Sequence, residues 1–278
     1  MERRSFGDGV RVSVLGIGCG RVGSINNPVP MREVKSTLEA AVEAGINLFD
    51  TANIYGQGDS ERTLSRLLHR HHDRMFVVTK VGGHFGRYAS AIRIAKPILR
   101  MLVRSRPQLR SAVVRSRTAS VSYNFHPPDL RRAVDDSRRR LGLDRLDGLL
   151  LHSPSLETLC KPAIHDFLGE LLHSGRAAHV GASIGSLSEV EAALALPLPI
   201  TILQVPLAVA NAFSRTAIEH IRRRNVGVLV REILASQMPG TWSAREAISA
   251  AIVPDFVTAA IVGVSTRRHL NELLSGRS

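Results

Sequence analysis

Four polar residues at the ends of three short apolar runs have the types needed to move a proton together. Asp50 and Tyr55 stand in Phe-Asp-Thr-Ala-Asn-Ile-Tyr-Gly, Lys80 ends Phe-Val-Val-Thr-Lys, and His152 follows in Leu-Leu-Leu-His-Ser-Pro. A phenol is a weak acid with an ordinary pKa of about 10. An adjacent ammonium favours the phenolate, and a carboxylate holds that ammonium in place. An imidazole beside them can orient a carbonyl. Each has a plainer reading taken alone: a turn aspartate, a packing tyrosine, a solvated lysine. Their joint occurrence at strand ends singles them out.

The elements that must position them recur along the chain. Short β-branched and apolar runs predict strands at Val14 to Ile17, Asn47 to Asp50, Phe76 to Lys80, Gly148 to Leu151, Ala178 to Ala182, Ile202 to Val205, Gly227 to Arg231 and Thr258 to Val262. Amphipathic stretches predict helices at Met31 to Ala44, Ser60 to Leu68, Asp129 to Leu141, Pro162 to Ser174, Leu187 to Leu194, Arg215 to Arg224, Ser243 to Ala251 and Arg267 to Leu274. Pro162 suits a first helical turn, and Gly45, Gly142, Gly175 and Gly227 fall where a positive φ is expected after a helix. Such alternation predicts one (β/α)8 TIM barrel over residues 1–278, with its active site at the C-terminal ends of the strands.

One segment breaks the rhythm. Residues 82–123, after the third strand, are too many for an ordinary βα loop. Nine Arg or Lys and no acid lie between Val81 and Ser120, a large share of a net charge of +13. Ile92, Ile94, Ile98, Leu99, Leu102 and Val103 among these cations predict an amphipathic insertion on the active face, interrupted at Pro97. It suits a lid, or a contact for an acidic partner or anionic membrane surface; nothing in it specifies a nucleic acid.

At 44% hydrophobic and 22% charged residues the chain has globular composition. No apolar stretch follows the basic start, so a cytoplasmic location is expected. The uncharged run from Ala192 to Ser214 is broken by Pro197, Pro199 and Pro206 and reads as a loop feeding a buried strand. Two cysteines, Cys19 and Cys160, fit reduced thiols rather than a disulfide framework.

The chain also resembles the aldo-keto reductases. The matching pieces are Leu-Gly-Ile-Gly-Cys-Gly, Ala-Gly-Ile-Asn-Leu-Phe-Asp-Thr-Ala-Asn-Ile-Tyr-Gly with Ser60-Glu61 after it, Val-Thr-Lys, Arg-Leu-Gly-Leu-Asp-Arg-Leu-Asp, Leu-Leu-Leu-His, Val-Gly-Ala-Ser, Leu-Gln-Val-Pro and Ala-Ile-Val-Gly-Val-Ser, in family order. The resemblance implies a barrel that reduces a small-molecule aldehyde or ketone, or oxidises the alcohol, with NADPH/NADP+. Its catalytic tetrad falls on Asp50, Tyr55, Lys80 and His152: Tyr55 as the acid, Lys80 lowering its pKa, Asp50 fixing Lys80, and His152 orienting the carbonyl. For the cofactor it implies Gly18, Cys19, Asp50, Ser183, Gln204 and Arg231, and near the C-terminus Gly263, Ser265, Arg267, Arg268, His269 and Glu272. Arg267 and Arg268 offer charge to a 2′-phosphate, which favours NADP over NAD. Two positions depart from the family: Ile184 replaces an amide after Ser183, and Leu273 replaces an asparagine after Glu272. With the basic insertion, these departures leave a second reading, a nicotinamide-binding regulatory protein with little turnover.

Two motifs compete. Gly18 to Gly23 spells G-x-G-x-x-G, but no helix is expected on its third glycine. Gly181-Ala182-Ser183-Ile184-Gly185 spells the nucleophile elbow of serine hydrolases, with no local acid and histidine pattern to complete it. His69, His71 and His72 cluster beside Asp73 but lack a second ligand group, and no metal site is assigned.

Overall fold

The computed structural model describes residues 1–25, 27–85, 121–233 and 243–275. An N-terminal hairpin of β1 (Arg3–Phe6) and β2 (Val10–Ser13) precedes β3 (Leu15–Gly18) and α1 (Met31–Glu43). Then follow β4 (Leu48–Asp50), α2 (Asp59–His71), β5 (Phe76–Val81), and a small ladder of β6 (Gly83–Phe85) with β7 (Val121–Tyr123). The remainder is α3 (Pro127–Leu141), β8 (Leu146–His152), α4 (Pro162–His173), β9 (Ala177–Ser183), α5 (Leu187–Ala195), β10 (Ile202–Pro206), α6 (Arg215–Arg223), β11 (Gly227–Arg231), α7 (Ala244–Ala251), β12 (Val257–Gly263) and α8 (Arg267–Leu274), with short single-turn helices between.

Strands β3, β4, β5, β8, β9, β10, β11 and β12 close into a barrel of parallel neighbours. The eight expected strands are these eight, each shifted or extended by a residue or two at most. Parallel barrel strands are covered on both faces, which is why their sequences run apolar without alternation. Inside the barrel pack Phe6, Leu48, Phe76, Val78, Leu150, Ile202, Leu229 and Ile261; a larger core fills the layer between strands and helices.

The hairpin was not foreseen, because its four-residue strands are half polar and carry no long pattern. Its Phe6 closes the barrel floor, edge-on to Phe76 at 5.8 Å and to His179 at 5.2 Å between ring centroids. Phe6 also corrects the reading of Gly227. That glycine does not take a positive φ; Asn225 does, at 49°. A Cβ on Gly227 would lie 2.6 Å from the Phe6 ring, so the glycine makes room rather than a turn.

The long insertion is rooted in the β6–β7 ladder, with Gly83 opposite Tyr123 and Phe85 opposite Val121. Residues 86–120 lie outside the described residues, and with them the expected amphipathic character, Pro97 and all nine basic residues. Among the described residues no helix is long and apolar enough to cross a membrane.

Candidate active site

Asp50, Lys80 and His152 stand at or next to the C-terminal ends of β4, β5 and β8, and Tyr55 opens a 3-10 turn five residues after β4 ends. The barrel brings all four together. Lys80 Nζ donates to Asp50 Oδ1 at 2.5 Å and to the Thr51 carbonyl at 2.9 Å. The ammonium lies 5.1 Å from the Tyr55 ring centroid, and the Tyr55 and His152 rings meet edge-on at 6.0 Å.

Tyr55 is placed by a turn with little freedom. Gly56, Gln57 and Gly58 have φ of 57°, 52° and 83°, three left-handed residues in succession. At Gly56 a side chain is excluded twice, since a Cβ would also lie 2.8 Å from the Val22 carbonyl. Below the turn, Ser60 Oγ donates to the Cys19 carbonyl at 3.1 Å and so accepts from Thr51 Oγ1, 2.8 Å away. Glu61, fully buried, accepts from Thr79 Oγ1 at 2.6 Å and from Arg140 Nε at 2.5 Å. Thr51 and Thr79 flank Asp50 and Lys80 in sequence. This supporting network was not read as functional; its visible signal was Ser60-Glu61.

The electrostatics set burial against the expected action of Lys80. Burial raises the Tyr55 pKa and outweighs the lowering by Lys80, with Asp50 adding to the rise, so the phenol sits above its ordinary value. Lys80 does act in the expected direction, but it does not win. Burial also pulls Lys80 down, yet Asp50 and Tyr55 outweigh it and the ammonium is held above its usual range. His152 is pulled down to about 3, first by burial and then by the charges of Lys80 and Arg231. The site therefore holds a protonated phenol, a charged lysine and a neutral imidazole at neutral pH.

The remaining expected residues divide. Ser183 and Gln204 join the tetrad: Ser183 Oγ donates to Gln204 Oε1 at 2.9 Å, and Gln204 Nε2 donates to Asp50 Oδ1 at 2.8 Å. A carboxylate only accepts, which fixes the amide's orientation. Ser183 thus turns to an amide and not to an imidazole, which leaves the serine-hydrolase reading without its base. Gly18 and Gly263 lie side by side across β3 and β12, and nearby Gly20 has room for a Cβ 3.7 Å from the Tyr55 ring. Cys19 is different: its thiol is buried in the layer between strands and helices, donates to the Ile17 carbonyl, and is pushed up by burial. It is not presented to the mouth.

Thr266 caps α8 by accepting from the His269 amide at 3.2 Å, with Ser265 beside it. Arg267 donates to the Ser36 carbonyl at 3.3 Å, Arg268 pairs with Glu272 at 3.0 Å, and all three side chains are at the surface with His269. Arg231 ends β11; its Nη2 reaches the Ile184 carbonyl at 3.4 Å and its Nη1 pairs with Glu232. Arg231 Nε and His152 Nδ1 are buried without a hydrogen-bond partner. The histidine cluster is taken up at the surface, His71 by Glu39 and His72 by Asp73.

Two residues at the mouth escaped the sequence reading. Tyr123 meets His152 edge-on at 5.9 Å and stacks on Phe125 with 6.3 Å between centroids. They lie where the insertion returns to the barrel, and only the β6–β7 pairing brings them back to His152. The stem is tied to the Tyr55 loop by Asn53 Nδ2, which donates to the Gly83 carbonyl at 2.9 Å.

Comparison with known proteins agrees with this fold. The chain is 31% identical over 164 residues to a D-threo-aldose 1-dehydrogenase of Pseudomonas sp, and 30% identical over 154 residues to a pyridoxal 4-dehydrogenase of Microbacterium luteolum. Each match covers 54% of this chain and 43% of the relative, so the chain matches less than half the length of these curated relatives. A solved Pseudomonas aeruginosa structure, provisionally assigned as an aldo-keto reductase, superposes with a TM-score of 0.74 at 26% identity, covering 98% of this chain and 92% of that one. The holo form of an aldo-keto reductase from Bacillus halodurans shares the fold, with a TM-score of 0.72 at 20% identity over 99% of this chain and 90% of that one. The model of the aldo/keto reductase family matches residues 14–249, and the chain belongs to that family.

Proposed function

We propose that this protein reduces an aldehyde or ketone to the alcohol, or runs the reverse reaction, using NADP(H), with Tyr55 as the general acid/base. The observation that carries this reading is the buried Lys80–Asp50 pair set against the Tyr55 ring, with His152 on that ring's edge.

The residues fit such a cofactor. Gly20 and Gly263 leave the rim bare where side chains would otherwise stand, and Gly18, where a Cβ would lie 3.3 Å from Ile261, packs beside Gly263. The 2′-phosphate is assigned to Arg267 and Arg268, since guanidinium matches phosphate oxygens. Ser265, His269 and Glu272 complete that end, and Ser183, Gln204 and Asp50 hold the carboxamide end. When bound, the reduced nicotinamide supplies the hydride.

The protein's own groups manage the proton. Tyr55, kept as a phenol by burial, donates to the carbonyl oxygen as that oxygen gains charge. The Lys80 ammonium stabilises the phenolate left behind, and Asp50 keeps the ammonium in position. An unpartnered buried lone pair is more easily tolerated than an unpartnered N–H. The orphan His152 Nδ1 therefore puts the imidazole proton on Nε2, where it can donate to the carbonyl.

The test is the purified protein with NADPH and a panel of aldehydes and ketones, followed at the nicotinamide absorbance. Turnover with NADPH above that with NADH supports the proposal. Tight NADPH binding with no turnover across the panel would transfer support to the regulatory reading.

A further inference from the structure

We infer that Arg231 is a receptor for a carboxylate on the substrate, so that the carbonyl compound taken by this site is an oxo acid. The inference rests on the proposed reductase site and adds its substrate class.

Lys80 brings a positive charge to the mouth, but Asp50 matches it at 2.5 Å deep in the barrel. His152 contributes none, being neutral. Arg231 is differently placed. Its counter-charge is Glu232, half exposed on the rim and held by a left-handed φ of 60°. That pairing occupies Nη1 alone. On the opposite edge of the guanidinium, Nε has no partner and Nη2 has only a long contact of 3.4 Å to the Ile184 carbonyl. The Nε–Nη2 edge is the one that takes a carboxylate through two parallel hydrogen bonds.

The fold sets this edge on the rim of the site. Arg231 ends β11 at the same C-terminal end of the barrel that carries Asp50, Lys80 and His152, and its Nη2 reaches the carbonyl of the residue after Ser183, which Gln204 links to Asp50. That rim is where the carbonyl is proposed to sit. A quarter of the Arg231 side chain remains open, at 25%. A buried donor left without an acceptor is costly, and an arriving carboxylate removes that cost. Placement against the nicotinamide suits the guanidinium less well, because the oxidised ring is itself a cation.

The test uses one aldehyde with and without its charge: 4-oxobutanoate and its methyl ester. Calorimetry on the whole protein with NADP+ present, where no reduction can occur, gives both affinities. Wild type is expected to bind the acid at least about tenfold more tightly than the ester. Arg231→Gln should bring that ratio close to one, and Arg231→Lys, which keeps charge but loses the fork, should retain part of it. The NADPH dissociation constant, from nicotinamide fluorescence, should move less than the acid affinity. A wild-type ratio near one, a ratio unchanged in Arg231→Gln, or a loss confined to NADPH affinity would overturn the assignment. Failure of the reductase reading looks different: neither aldehyde is turned over with NADPH, while the acid–ester difference and its dependence on Arg231 persist.

Discussion

Lys80 Nζ and Asp50 Oδ1 lie 2.5 Å apart with the lysine 1% exposed, and the same aspartate oxygen accepts from Gln204. The pair is at once the electrostatic base of the proposed site and a liability for folding. Removing one partner from a buried ion pair leaves an uncompensated charge, at a cost of about 3–5 kcal/mol. Asp50→Asn and Lys80→Met are each expected to lose about that much stability in urea unfolding, and the double variant less than the sum. Strict additivity would mean the two charges are not coupled.

Tyr55→Phe keeps the ring and its edge contact with His152 but removes the proton. Loss of a general acid is expected to lower kcat by about 10²–10⁴-fold. Circular dichroism and the NADPH dissociation constant should stay close to wild type. A variant within threefold of wild-type kcat would remove Tyr55 from the chemistry.

The pH dependence follows from the directions found. A phenol raised above its ordinary value stays protonated through neutrality, so kcat/KM for reduction should hold until the pH exceeds about 10. His152 should add no titration near its ordinary value of about 6.5. The same imidazole links folding to acid. Unfolded it takes up a proton near its ordinary pKa, and folded only near 3, so between these values the unfolded state holds more protons and stability falls as pH falls. Urea midpoints from pH 4 to 7 should show this slope, and His152→Asn should flatten it.

Gly82 has a φ of 103°, and a Cβ there would lie 2.4 Å from the Phe125 ring. Gly82→Ala should cost about 1–3 kcal/mol from backbone strain alone. By displacing Phe125 and the Tyr123 stacked on it, the variant should raise substrate KM more than the NADPH dissociation constant. Equal changes in both would argue against an aromatic wall for substrate.

Sequence periodicity by itself determined the barrel, because parallel strands buried on both faces write themselves as eight apolar runs between amphipathic helices. It also made the proposed site legible, since Asp50, Lys80 and His152 fall at or beside strand ends that any such barrel must bring to one rim. Only the tertiary structure decided how these groups balance. The Tyr55 pKa depends on burial together with Lys80, Asp50 and Arg231, neighbours 5 to 176 residues away in sequence. Likewise the Phe6 plug, the Glu61–Arg140 pair, Tyr123 at His152 and the unpartnered edge of Arg231 follow from contacts between distant segments. Local sequence carries no periodic signal for such contacts, and so they became visible only when the barrel closed.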